Sequence, residues 1–405
     1  MAITISQNPQ PFWPICNDVT WVFSSDETAQ ANFSFIVEVY LNASLLSTHE
    51  VYPENGIFGK FNISQIGRAV VTSNYPEEAD LTIGNLNDGD TWYLKVYDKY
   101  GTPAATQLGS VATSSTRQFL NGAFRFGDAT TGDWDYQDYD IDTGGKSDLF
   151  LTDFPRDRKD LVAYIEYKYL SIINSGGDNL TGYVYLYDIS GSVITSATWI
   201  GTLGTGLVTP FINVSPINLV GGTSLVQSDF DDCYYYTIQL KQTSTPGKAS
   251  EIYKIYFDQS CSAYSRRRLH WLNKYGAWDS FTFTLLSEDT SDITSNNYSR
   301  VTGRWNVSNN YEYSLSDGHQ MTQSKFMQDK LILNSDWIHE DVQQWLVREL
   351  YESPRVYLQN DFGSSVLEPV NVTNANYVLK QRRKAGLIQE LVQINRTYTK
   401  ISQLG

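Results

Sequence analysis

Short runs of alternating apolar and polar residues recur along most of this chain. Asn, Gly, Pro and Asp separate them at intervals of about 8–12 residues. Val19–Phe23, Ala31–Leu41 and Thr91–Asp98 show the pattern early. Thr181–Ile189, Val193–Ile200, Cys233–Leu240 and Glu251–Phe257 show it later. A period of two places alternate side chains on opposite faces of a strand, so each run predicts a strand with one buried face. Ser190-Gly191 and Thr245-Pro246-Gly247-Lys248 are turn sequences that close two of these pairs into hairpins. Asn273-Lys274-Tyr275-Gly276 does the same between Arg268–Leu272 and Trp278–Phe283. Asp160–Leu170 reads as one continuous strand, and Ile66–Tyr75 suits a strand or a short helix.

One segment breaks the period. Ile338, Val342, Trp345, Leu346 and Leu350 fall on one helical face, Ser335 or Asp336 can cap it, and Pro354 ends it, which predicts a helix over 336–353. The expected fold is mainly β: tandem antiparallel β-sandwich domains, with one amphipathic helix in a C-terminal β-rich domain. A length of 405 residues suits two or three domains. The boundaries fall at 1–118 for an N-terminal sandwich, 119–264 for a central sandwich with an acidic loop, and 265–405 for the C-terminal domain.

Charge narrows the function. A net charge of -15 lacks the basic footprint of nucleic-acid binding and does not attract anionic membranes. No run approaches the ~20 apolar residues of a membrane span. Met1–Pro11 has neither a basic nor an apolar leader region, which predicts no secretory signal. Three cysteines, Cys16, Cys233 and Cys261, form neither a disulfide framework nor a zinc motif, and reduced buried thiols are expected. The 28 Tyr and 10 Trp suit both sheet surfaces and wide contact areas.

Few residues suggest chemistry. Asp138, Asp140 and Asp142 have the alternate spacing of a calcium loop, but Thr143 stands where an EF-hand needs glycine and Leu149 where it needs glutamate. They are retained as a calcium candidate, with a solvated acidic loop as the plainer reading, and no other cofactor is expected. Trp134 and Tyr136 in the same stretch suit stacking on a sugar ring. The histidines His49, His270, His319 and His339 form no paired motif, and His270 reads as a hydrogen-bonded core residue. No hydrolase or phosphate-binding signature is present, so no catalytic residue is assigned and the chain reads as non-enzymatic. Arg266-Arg267-Arg268 reads as a solvated strand start, as a partner for the chain's own acidic surface, or as a contact for an acidic partner subunit.

Several segments carry a resemblance. Phe12-Trp13-Pro14 with Asn17, Val22–Ser25, Asn32–Val37 and Pro53–Ser64 resemble the opening of virion proteins from phages of Bacteroidetes hosts. Arg268–Phe283 resembles a hairpin of those proteins, and Trp337–Leu350 followed by Ser353–Leu358 is similar to their helix. The resemblance covers the first ~100 and last ~140 residues. It implies a structural part of the tail, the baseplate or another surface attachment. Such a part is made in the host cytoplasm, located in the virion, and assembled with copies of itself and other virion proteins. Trp271, Tyr275 and Trp278 on the hairpin are candidate interface residues. The alternative is a host-receptor or carbohydrate-binding module that contacts a surface glycan.

Overall fold

The computed structural model describes residues 3–73, 84–86, 90–102, 105–125, 136–142, 148–199, 208–245, 247–260, 263–301, 303–307, 310–312, 314–315, 318–360, 367–373 and 387–401. The chain is mainly β, built of several antiparallel sheets with three α-helices among the described residues. It divides into two compact units. Residues 1–259 and 271–280 form the first, and 260–270 with 281–405 form the second.

The first unit contains two separate apolar clusters. One draws on a three-stranded sheet, in which Thr20–Ser25 lies between Ile3–Gln7 and Phe58–Asn62. It also draws on a four-stranded antiparallel sheet ordered Ser44–Val51, Ser34–Leu41, Trp92–Thr102, Ala105–Thr113. Trp21, Phe23, Phe35, Val37, Trp92 and Leu94 meet there as alternate residues of their strands. Phe23 and Phe35 meet edge to face with centroids 4.9 Å apart. This geometry adds about 0.5–1.5 kcal/mol beyond area burial.

The second cluster lies under a five-stranded sheet ordered Leu161–Val162, Tyr253–Phe257, Tyr235–Gln242, Leu180–Tyr187, Val193–Trp199. Both hairpins expected here are present. In the first, Gly191 takes φ +82°. The Asp188 carboxylate accepts bonds from Ser190 Oγ at 2.6 Å and the Ser192 amide at 2.8 Å, closing the turn. Asp160–Leu170 is not one strand. Only Leu161–Val162 and Tyr169–Ser171 are extended, because Glu166 folds back to accept the Ala163 amide at 2.9 Å. The turn carries Lys168 into the interior, where it is fully buried.

A seven-stranded sheet runs from Trp278–Phe283 through Arg267–Leu272, Val356–Asn360, Leu367–Val372, Leu391–Ile401 and Gln320–Asn334 to Glu288–Ser299 at its edge. The helix expected over 336–353 spans Glu340–Glu352, with Val342, Trp345, Leu346 and Leu350 buried. It starts late because Ile338–His339 is held extended against Leu387–Ile388. Ser335, one expected cap, bonds instead to the Asp336 carbonyl at 2.9 Å and accepts the Glu390 amide at 2.8 Å. The ambiguous segment 66–75 contributes to a helix, Ser64–Val70.

Cys16 and Cys233 are free thiols, and Cys261 lies outside the described residues. Burial pushes the Cys233 thiol up to about 12, with a backbone bond from Tyr187 opposing it. Thiolate is the reactive species. Cys233 is therefore expected to resist a maleimide at pH 8 in the native protein and to label fully in urea. Peptide mass mapping reads this directly, and rapid native labelling would contradict the enclosed position.

Candidate assembly surfaces

The edge strand Glu288–Ser299 belongs to a long arm. It pairs antiparallel with Gln320–Asn334 from Glu288 opposite Ile332 to Ser299 opposite Gln320. Leu391–Ile401 covers the other side of Gln320–Asn334 only from Phe326 onward. All twelve residues of Glu288–Ser299 are exposed, including Ile293 at 57% and Tyr298 at 43%. Exposure on both pleat faces means that none of the described residues covers either. A hairpin in that state is marginal in water, and an open edge presents unpaired amides and carbonyls to another chain. Polar side chains and local links brace it: Lys330 pairs with Asp292, Ser291 Oγ donates to Asp329 at 2.6 Å, Thr322 Oγ1 donates to Asn297 Oδ1 at 3.0 Å, and Asn296 Nδ2 donates to Ser324 Oγ at 3.4 Å.

The first unit has a different surface. On the outer face of the five-stranded sheet, Tyr187, Tyr235 and Tyr256 lie across three neighbouring strands. Tyr187 and Tyr235 stack, with centroids 4.7 Å apart and planes 12° from parallel. Lys254 Nζ lies 3.6 Å from the Tyr235 centroid, and Lys159 Nζ lies 5.2 Å from both Tyr234 and Tyr256. Tyr183 and Tyr185 extend the row, Tyr183 beneath Lys241. The strand alternation that buries Val184, Leu186, Tyr236 and Ile238 forces these rings outward. Rigid rings with polar tips contribute contact area at low entropic cost.

The residues singled out by sequence mostly lie elsewhere. Trp271, Tyr275 and Trp278 are buried at 0%, 4% and 2% exposure, so they are core side chains and not a free interface. The turn that presents them is formed by Gly276 at φ +80°, where an added Cβ would lie 3.0 Å from the Asn121 backbone. Trp134 lies outside the described residues. Tyr136 is buried and donates to the Tyr275 carbonyl at 3.1 Å, so its ring cannot serve as a sugar platform. Arg266 and Arg268 are buried too, Arg267 is half-buried, and Arg268 donates to Thr282 Oγ1 at 2.5 Å, so the run is not a solvated strand start. His270 is a buried core residue hydrogen-bonded to Gln359 Oε1 at 3.2 Å.

Asp138, Asp140 and Asp142 do not converge. Asp140 is buried and its Oδ1 accepts the Asp142 and Ser175 amides at 3.0 and 3.2 Å. Asp142 pairs with Lys248 and accepts from Gln242 at 3.2 Å. Burial raises its pKa, but the bonds from Lys248 and Gln242 outweigh this and hold the carboxyl below its usual range. Asp138 is exposed. The aspartates brace a turn in which Ile141 is core, and this explains their spacing without calcium ligation. Among the described residues no group of three or more His, Cys, Asp or Glu is placed to hold a metal ion. Among them, too, no helix is long and apolar enough to cross a membrane. No family model matches the chain, and no curated protein matches it.

Proposed function

We propose that this chain is a structural, non-enzymatic component of a bacteriophage particle that acts by assembling with copies of itself and with neighbouring virion proteins. The exposed edge strand Glu288–Ser299 carries the reading. A twelve-residue edge uncovered on both faces is a template for strand addition, and a second copy of the chain is its simplest occupant. The tyrosine-lined sheet face supplies a second contact area suited to a neighbouring protein. The same reading takes the sheets around the two apolar clusters as tandem β-sandwiches. Placement in the tail, the baseplate or another surface attachment rests on the resemblance of the 12–64 and 268–358 segments to phage virion proteins.

Light scattering on the intact chain tests the assembly. A defined multiple of the chain mass is expected. The double variant Ile293→Lys with Tyr298→Lys places charge on an edge that natural proteins protect in the same way. It is expected to weaken association about tenfold or more, the equivalent of ~1.4 kcal/mol, while leaving the fold intact because both side chains are exposed. A wild-type monomer at high concentration, or an unchanged oligomer in the variant, would count against the arm.

A further inference from the structure

A cleft of about 580 Å³ opens in the first unit beside the three-stranded sheet, within the ~300–1,000 Å³ of small-molecule sites. Two aromatic side chains line it. Phe58 is 46% exposed at the start of its strand, and Trp13 is half-buried. The Trp13 ring is fixed, because Nε1 donates to the Asp18 carbonyl at 3.0 Å. Asp18 is fixed as well: Asn62 Nδ2 donates to its Oδ1 at 2.7 Å, leaving Oδ2 for another donor.

Around these rings stand Gln10, Glu54 and Lys60. Their side chains are exposed, and among the described residues the structure gives them no hydrogen bond or ion pair. Asn8 Oδ1, in the wall, is enclosed and has no donor among the described residues. The cleft therefore combines two aromatic side chains with unspent carboxylate, amide and ammonium groups.

From this combination we infer that the cleft is a binding site for a neutral oligosaccharide. The C–H face of a pyranose ring lies on an aromatic ring, while its hydroxyls both donate and accept. Asp18 and Glu54 accept, Lys60 donates, and Gln10 does both. Two carboxylates and one ammonium leave the cleft net negative, which disfavours phosphorylated, sulfated or sialylated ligands. The assignment is independent of the arm and of the sugar platform expected at Trp134 and Tyr136.

The test uses the intact chain on a printed array of neutral hexose and N-acetylhexosamine oligosaccharides together with acidic glycans. Calorimetry then measures the best neutral binder. Saturable binding to at least one neutral glycan is expected. Phe58→Ala and Gln10→Ala should each weaken it about tenfold, the equivalent of ~1.4 kcal/mol. Both positions are exposed, so native circular dichroism is expected in both variants even if Trp13→Ala fails to fold. The arm variant Ile293→Lys with Tyr298→Lys should keep full glycan affinity. Binding to no neutral glycan, to acidic glycans alone, or with equal affinity in folded Phe58→Ala would overturn the assignment.

Discussion

Replacing Lys168 with methionine should lower the stability of the first unit by about 3–5 kcal/mol, the cost of breaking a buried pair on one side. Lys168 is fully buried, and its ammonium lies 2.6 Å from the Asp160 carboxylate. Tyr253 Oη donates to the same Asp160 oxygen at 2.9 Å. Asp279, 2% exposed, is the second acid under this cation. Burial raises its pKa, and the Lys168 charge is the largest influence pulling it back. Methionine keeps the length of the chain but removes the charge, leaving two enclosed carboxylates uncompensated.

The pH dependence follows from the sign of that shift. A carboxyl whose folded pKa is raised contributes stability below the unfolded value of ~3.9, and this is lost as pH rises through the folded value. The variant raises Asp279 further, so the gap between wild type and variant is widest at neutral pH and narrows on acidification. Urea midpoints across the acid-to-neutral range measure it. A loss below about 1 kcal/mol, or one equal at every pH, would mean that the acids find other partners.

Lys168 also marks where sequence reading stops. Asp160–Leu170 alternates well enough to pass for one strand, and nothing local shows that Glu166 turns back on Ala163. The three hairpins were legible because each joins two apolar-rich runs through a turn with its own chemistry, such as Asp188 to Ser190 and Ser192. The arm was invisible for the opposite reason. Glu288–Ser299 is solvated on both faces, so no alternation develops, and its Ser, Thr, Asn and Asp residues read as loop. The cleft was hidden by distance along the chain. Gln10 and Trp13 meet Glu54 and Phe58 because Thr20–Ser25 pairs antiparallel with both Ile3–Gln7 and Phe58–Asn62. The aspartates were legible as residues but not as a site, because only the fold shows that Asp142 faces Lys248 and Asp140 faces backbone amides.

Tyr275 separates an interface from a core by experiment. Its ring lies 4.8 Å from Tyr139 and 5.4 Å from Phe124, centroid to centroid. Its hydroxyl bonds to that of Tyr139 at 2.6 Å and donates to Asp153. Burial, then the Asp153 charge, raise the phenol far above its ordinary range, so it acts as a neutral donor throughout the working pH range. Tyr275→Ala should cost about 3–5 kcal/mol, as for other large aromatics removed from a core. Tyr275→Phe keeps the ring packing and strands the hydroxyl's partners, and should cost about 1–3 kcal/mol. Below the unfolding transition, both variants should keep the wild-type mass in light scattering, because the side chain is enclosed by its own unit. An interface residue would reverse the pattern: the alanine variant would unfold at the wild-type midpoint and lose its assembly. That outcome would return the hairpin to the surface, whereas a graded loss of stability from Phe to Ala at constant mass places Tyr275 in the core of its own unit.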